Sequence, residues 1–274
     1  MEHFTFLGTG AAMVTRCYNA CFTIADDNSD MFLVDGGGGN GILTQLERLG
    51  LYKANRIRAI FVSHNHSDHI LGVVWIVRAI AQEMNKDRYE GNLTIYAHQR
   101  SLDAVRNISQ YVMQPRLWAL FDKRVIFIPI EDGTECDIID RHFTFFNINS
   151  TKELQHGFVC TLHGGKRLAF TGDEPIKNEL FKRIEGVDVL VQEAYCAQRD
   201  EAEFRPFEKS HGTALNSCRV AANVGAASTI LIHTEGRNLQ TRRQTYIAEG
   251  RSVYNGKIFV PDDLDDIKLS DCID

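Results

Sequence analysis

The stretch that most constrains this chain is Phe61-Val62-Ser63-His64-Asn65-His66-Ser67-Asp68-His69-Ile70, which sets four potential metal ligands within six residues. The apolar, β-branched run Ile57 to Val62 precedes it and reads as a buried strand, and the apolar run Leu71 to Glu83 that follows is compatible with a helix. The ligands therefore fall on a strand-to-helix turn. An extended turn sends alternate side chains to one side, so His64 and His66 converge on one ion while Asp68 and His69 face a second. Imidazole nitrogen with carboxylate oxygen suits zinc, iron or manganese without choosing among them. A solvated polar loop would account for a lone histidine, but not for three histidines and an aspartate at this spacing.

The rest of the chain alternates strand and helix patterns. Phe4–Leu7, Cys21–Ala25, Met31–Val34, Leu93–Ala97, Arg124–Ile130, Phe143–Ile148, Val187–Val191 and Thr229–Thr234 read as strands. Ile42–Leu49, closed by Gly50, most of Leu102–Phe121 and a segment from Ala214 to about Val224 read as helices. Such a succession points to a layered α/β fold. The second and third strands form a hairpin across the polar segment Asp26–Asp30, and the third runs into Asp35-Gly36-Gly37-Gly38-Gly39. Those glycines permit close backbone approach, and Asp35 is placed to accept a hydrogen bond from a ligand histidine. His156 opens one strand and Asp173 follows the next, across a hairpin at Gly164-Gly165, so both side chains stand at the same sheet edge.

Other segments read more plainly. Gly8-Thr9-Gly10-Ala11-Ala12 lacks the third glycine of a dinucleotide fingerprint and the Gly-Lys-Ser/Thr of a P-loop, so it is a turn and not a phosphate cradle. His3, His98, His142 and His163 lie at strand ends or turns with no partner motif and read as surface or hydrogen-bonded residues. Asn85–Gly91 and Val112–Trp118 are insert-like; a lid role is open for them, with core packing ahead of it for the Met and Trp side chains. The acidic tail Pro261–Asp274 reads as a solvated or partly ordered end.

Composition sets limits on partners. With 274 residues and 44% hydrophobic residues the chain can build a substantial core. No apolar run reaches transmembrane length, and Met1 leads straight into a strand pattern without a basic segment, so no membrane span or signal peptide is expected and the expected compartment is cytoplasmic. Seven scattered cysteines with no CxxC pair read as reduced thiols. A net charge of −6 offers no general attraction to nucleic acid, whereas small anionic substrates stay compatible with a cationic metal site.

The string His64-x-His66-x-Asp68-His69 resembles the HxHxDH motif of the metallo-β-lactamase superfamily, and its expected partners follow in order along nearly the whole chain. "FLGTGAA" resembles the opening of the ribonuclease Z branch, with Asn19 where that branch often has an asparagine. His156, Asp173 and His233 match the later metal motifs; Gln192-Glu193-Ala194-Tyr195 resembles the branch's HEAT segment with Gln192 and Tyr195 as departures, and Ser210-His211-Gly212-Thr213 resembles its HST segment. The resemblance implies a four-layer αββα sandwich with mixed sheets, a single domain over 1–274 with two αβ lobes meeting near residue 150, and a site in the crevice between the sheets.

It also implies two divalent transition-metal ions, zinc first, with manganese or iron open. His64, His66 and His156 would hold one and Asp68, His69 and His233 the other, with Asp173 between. Asp68 then counts among the catalytic residues, with His211 as general acid and Glu193 orienting its imidazole. A binuclear centre of this kind activates water against a phosphodiester. Transfer-RNA-processing members carry a basic arm between the third and fourth motifs, and here only a hairpin separates His156 from Asp173. The expectation is therefore a phosphodiesterase for a small or cyclic phosphodiester or a short oligonucleotide. The alternatives are a tRNA 3′ endonuclease or an arylsulfatase or other ester hydrolase, and, behind these, a non-catalytic metal-binding sensor. A homodimer stays open.

Overall fold

The structure, a computed structural model, describes residues 2–26, 30–51 and 54–273. Strand β1 (Glu2–Gly8), β2 (Cys21–Asp26) and β3 (Met31–Val34) are followed by helix α1 (Gly41–Arg48), β4 (Ile57–Val62), α2 (Ser67–Met84), β5 (Leu93–Ala97), α3 (Gln99–Val112), the short α4 (Pro115–Trp118) and β6 (Val125–Pro129). The second half comprises β7 (Glu135–Ile138), β8 (Arg141–Asn147), β9 (His156–Thr161), β10 (Arg167–Phe170), β11 (Val189–Glu193), α5 (Glu201–Phe204), α6 (Ala214–Asn223), β12 (Ser228–Ile232), α7 (Leu239–Gly250), β13 (Lys257–Phe259), β14 (Asp266–Lys268) and α8 (Leu269–Ile273).

Two mixed seven-stranded sheets result, ordered β14-β1-β2-β3-β4-β5-β6 and β13-β12-β11-β10-β9-β8-β7. In each, an antiparallel set joins a parallel set: β3 to β6 are mutually parallel in the first and β10 to β13 in the second. Parallel sheets need both faces covered, and the period-2 pattern supplies this. Phe32 and Val34 of β3, and Ala59 and Phe61 of β4, point into the space between the sheets, while Leu33, Ile60 and Val62 point to the helices α1 to α3. In the second sheet Phe158, Leu168, Phe170, Val189 and Ile230 face inward, and Ala169, Leu190 and Leu231 face α6 and α7. The inter-sheet layer is a phenylalanine cluster: Phe32 meets Phe143 with ring centroids 4.6 Å apart, and Phe61 meets Phe145 at 5.2 Å. Aromatic pairs at these spacings lock the two sheets face to face. The order of layers is helix, sheet, sheet, helix.

Several sequence expectations change. The chain leaves the first sheet after Pro129 and enters the second at Glu135, ahead of the boundary near 150, because Phe143–Ile148 pairs with β9 and so belongs to the second half. β7 had no apolar run to announce it. The acidic tail is not a solvated end: β14 pairs antiparallel with β1, and Ile267, Leu269 and Cys272 are buried. Its charge lies on alternate positions and in the turn before the strand, where Asp263 accepts hydrogen bonds from the Thr9 and Tyr18 amides and from Gln45. The tip of the β2–β3 hairpin at Asp27–Ser29 lies outside the described residues. In the segments with an open lid role, Met113 and Leu117 are buried in the helical layer, and Asn85–Gly91 lies beyond the far end of α2. Among the described residues no helix is long and apolar enough to cross a membrane.

Candidate metal centre

The strand ends that carry chemistry meet at one edge of the sandwich, beyond the carboxyl ends of the parallel strands, where open α/β sheets usually place ligands. Ser63 and His64 follow β4 directly; His66 is the N-cap of α2, and Asp68 and His69 occupy its first turn. Asp68 thus sits where the helix dipole favours a carboxylate. Asp173 follows β10, and His233 follows β12 with a left-handed backbone, φ 56°. Such a conformation in a non-glycine residue is typically held by surrounding structure. Here Thr234 donates to the Thr9 carbonyl at 3.0 Å and its own carbonyl accepts from Ala11 at 2.9 Å.

Among the described residues four groupings bring donor atoms within 4.8 Å of one another: His64, His66 and Asp173 form one cluster and Asp68, His69 and His233 a second, a third joins Glu193 and His211 to His233, and the fourth is Glu2, Asp26 and His163. Asp173 Oδ2 lies 3.6 Å from His64 Nε2, 3.8 Å from His69 Nε2 and 3.7 Å from His233 Nε2. Asp68 Oδ2 lies 3.3 Å from His69 Nε2 and 3.7 Å from His233 Nε2. Ligands about 2.0–2.2 Å from a tetrahedral ion are about 3.3–3.6 Å from one another, so these separations suit a shared ion better than a direct hydrogen bond. The His69 and His233 Nε2 atoms and Asp173 Oδ1 are buried without a hydrogen-bond partner. Orphaned buried acceptors are costly unless something fills the gap. The donor set fits transition-metal ions. His156 departs from the expected grouping: its amide bonds to the Ser63 carbonyl at 3.0 Å, but its ring stacks on His98 at 5.7 Å and it joins neither cluster.

The glycine run after β3 serves helix docking. Gly36 N donates to His69 O and Gly72 N to Gly37 O, and a Cβ on Gly72 would sit 1.7 Å from Gly36 O. That contact brings Asp35 under the centre. Asp35 Oδ2 is 2.8 Å from His69 Nδ1 and accepts from Ser63 Oγ at 2.7 Å, while Oδ1 accepts from the Ser63 amide at 2.8 Å. Ser63 Oγ in turn lies 3.0 Å from His64 Nδ1. Assigned from this pattern, both imidazoles carry a proton on Nδ1 and present Nε2 to the clusters, where His64 Nε2 lies 2.9 Å from His66 Nδ1. Burial, which would lower His69, is outweighed by Asp35 and Asp68, which raise it well above the ordinary imidazole value, so an ion there would displace its second proton. Ser63, adjacent to the motif, was not singled out by its sequence; only the relay reveals it.

Electrostatics follow from burial and crowding. Burial opposes ionisation of Asp173, but the imidazoles crowded around it outweigh that and hold the carboxyl well below the usual range. Burial also opposes ionisation of Asp68, outweighed by His69 and His233. Burial and the neighbouring His69 keep His64 neutral, and burial with His98 lowers His156 to about 4.

His211 stands beside the centre with its ring centroid 5.1 Å from that of His233, and 5.1 Å from Tyr195 in a stack. Its Nδ1 donates to the backbone carbonyl of Asp173 at 2.8 Å. Glu193 is not its direct partner as the sequence suggested: Oε2 is 3.8 Å from His211 Nδ1, and Oε1 accepts the Gly212 amide at 2.7 Å. The carboxyl fixes the backbone after His211, and the carbonyl fixes the ring. Burial and then His233 lower the His211 imidazole to about 3, and burial raises the Glu193 carboxyl well above the ordinary value.

A helix-sheet-sheet-helix sandwich with paired His/Asp clusters at one edge defines the class, and the chain belongs to the metallo-β-lactamase superfamily: residues 31–234 match the family model described as "Beta-lactamase superfamily domain". The relatives it resembles include members of the ribonuclease Z-like branch. A "Ribonuclease Z" of Myxococcus xanthus is 25% identical over 298 aligned residues, covering 93% of this chain and 94% of that protein. Human tRNase Z, short form, shares the fold with a TM-score of 0.74 at 19% identity, covering 97% of this chain and 99% of that one. A diphosphatase from the PhnP family does so with a TM-score of 0.71 at 17% identity over 97% and 96%. The superfamily is one of metal-dependent hydrolases, and the chain is a hydrolase of that kind.

Proposed function

We propose that this protein is a binuclear metal-dependent phosphodiesterase acting on a small or cyclic phosphodiester or a short oligonucleotide. The observation that carries the reading is His211, set beside the two ligand clusters and lining an open cavity of about 500 Å³. His64 and His66 would hold one ion and Asp68, His69 and His233 the other, with Asp173 between them; His156, outside both clusters, would join the first only by turning its ring away from His98. When bound, such ions supply a nucleophile from water near neutral pH and neutralise the oxygens of a diester.

The chain's own residues do the rest. Asp35 and Ser63 hold His69 and His64 in the tautomer that offers Nε2 to an ion. The Asp173 carbonyl occupies His211 Nδ1, so Nε2 is the atom left to serve the substrate. His211 takes up its second proton with the anionic substrate and passes it to the leaving oxygen. Glu193 keeps the Gly212 backbone in place so that this atom stays aimed.

The short connection from β9 to β10, closed by the Leu162 amide on Lys166 O, supports a small substrate, since the resemblance places the arm of tRNA-processing members between these strands. A tRNA 3′-processing activity is the second reading, favoured by relatives named Ribonuclease Z that match almost end to end. Purified protein reconstituted separately with zinc and manganese should be assayed on bis-nitrophenyl phosphate, a dinucleotide, a precursor tRNA, nitrophenyl sulfate and a nitrophenyl acyl ester. Diester turnover without precursor-tRNA cleavage is the expected result. Turnover confined to the sulfate or acyl ester would remove the phosphodiesterase reading, and specific tRNA 3′ cleavage would select the second.

A further inference from the structure

The cavity beside His211 is walled by the loop Ala11–Arg16, by Tyr195, Phe204 and Lys209, and by the turn Glu235–Arg237. A second hollow of about 390 Å³ runs to the start of α7 and shares Arg16 and Arg237 with the first. The loop is built to stay put. Asn19 Nδ2 donates to the carbonyls of Ala11 and Ala12 at 2.9 and 3.2 Å, and the Arg16 guanidinium donates to the Arg237 carbonyl at 3.3 Å. The Arg16 guanidinium is thereby fixed on the Arg237 backbone where the hollows join, while the Arg237 guanidinium lies on Glu203 and over the Phe204 ring.

The chain as a whole carries −6, whereas the lining of this cavity sets Arg16, Lys209 and Arg237 against Glu203 and Glu235. Glu235 is engaged by the backbone amides of Arg237 and Asn238, and Glu203 pairs with Arg237. Among the described residues Arg16 pairs with no carboxylate. A guanidinium fork suits phosphate oxygens, which it binds through two donors at a time; Arg16 offers one here, and Arg237 beside it would share its fork between Glu203 and the phosphate. Because His211 lines this cavity, the half of a diester that receives its proton, the leaving alcohol, lies in it. A methyl or nitrophenyl group would fill only a fraction of that space, which is in the range of roughly 300–1,000 Å³ typical of sites for larger ligands.

We propose that the leaving alcohol carries a phosphate of its own, bound by Arg16 and Arg237. This deepens the phosphodiesterase reading and rests on it. Hydrolysis then joins the oxygen of water to the scissile phosphorus and breaks the bond to the leaving alcohol. A proton returns to that alcohol's oxygen, and the second phosphate is unchanged.

The test uses the metal-reconstituted protein at fixed salt with the thymidine dinucleotides TpT, pTpT and TpTp, which place the extra phosphate on either possible leaving group. One phosphorylated dinucleotide should be hydrolysed with kcat/KM at least about tenfold above TpT, mostly through KM, and Arg16→Gln with Arg237→Gln should collapse that ratio to about one. In a parallel binding measurement by calorimetry, thymidine 3′,5′-bisphosphate should bind at least about tenfold more tightly than thymidine 5′-monophosphate, a difference also lost in the double variant. Equal hydrolysis and equal binding of the compared pairs would overturn the inference, as would a preference that survives the double substitution. Absence of hydrolysis of every diester with the binding difference intact would remove the diesterase reading while keeping the anion site.

Discussion

Replacement of Asp35 by Asn probes the centre without touching a proposed ligand. Asn is nearly isosteric and tolerates the left-handed backbone at this position, φ 57°. One oxygen can still accept the Ser63 amide, but an NH2 group would then face both Ser63 Oγ and His69 Nδ1. As a donor it would leave His69 Nδ1 to act as acceptor, and it would turn the Ser63 hydroxyl toward His64 Nδ1. Both imidazoles would then carry their proton on Nε2, where an ion needs a lone pair. Loss of one orienting partner typically costs about 10–100-fold in metal affinity, or about 1.4–2.7 kcal/mol. Because two histidines are switched, the expected loss is near the upper end, for both ions. Two charge-assisted hydrogen bonds would also become neutral ones, at about 1 kcal/mol each, so the melting midpoint should fall by roughly 4–8 °C. Competition against a chromogenic chelator reads the affinity, and circular dichroism reads the melt. A folded Asp35→Asn protein holding both ions within twofold of wild-type affinity would refute the relay.

Asp173→Ala should deplete both ions more severely than any single histidine substitution, since one carboxylate oxygen lies within reach of three histidines; retention of both at wild-type affinity by elemental analysis would contradict the shared position. His211→Ala should keep its metal and lose roughly 10²–10⁴-fold in turnover on diesters with alkoxide leaving groups, with a smaller loss for nitrophenolate. Equal losses across leaving groups, read from steady-state rates, would remove the proton-donor role. Arg242→Ala should cost about 3–5 kcal/mol in urea unfolding, because the buried guanidinium donates to Thr234, Pro261 and Asp262 and leaves all three acceptors short; a loss under about 1 kcal/mol would show the tail to be held elsewhere.

The alternation of Phe, Val and Leu along β3, β4 and β8 to β12 is enough to place a two-faced sheet, and the ligand motif is legible because four donors in six residues have few other uses. What the sequence hides is non-local. Asp266–Lys268 joins β1 across almost the whole chain, so a charged tail with alternating apolar residues looked like a solvated end. Glu193 stood next to His211 in motif logic, yet a backbone carbonyl holds the ring, and carbonyls leave no trace in side-chain identity. Ser63 acts through a hydroxyl whose direction only the folded Asp35 decides. The cavity loop Ala11–Arg16 comes beside His211 only because Thr9 and Ala11 pair with Thr234.

The most direct test of the account is the number of ions per chain in gently purified protein, and again after reconstitution with zinc or manganese, measured by elemental analysis against amino-acid quantitation. Six histidines and aspartates in two clusters, with His156 beside them, exceed what one four- to six-coordinate ion can use. The account predicts two ions per chain, and a reproducible maximum of one after reconstitution would contradict it.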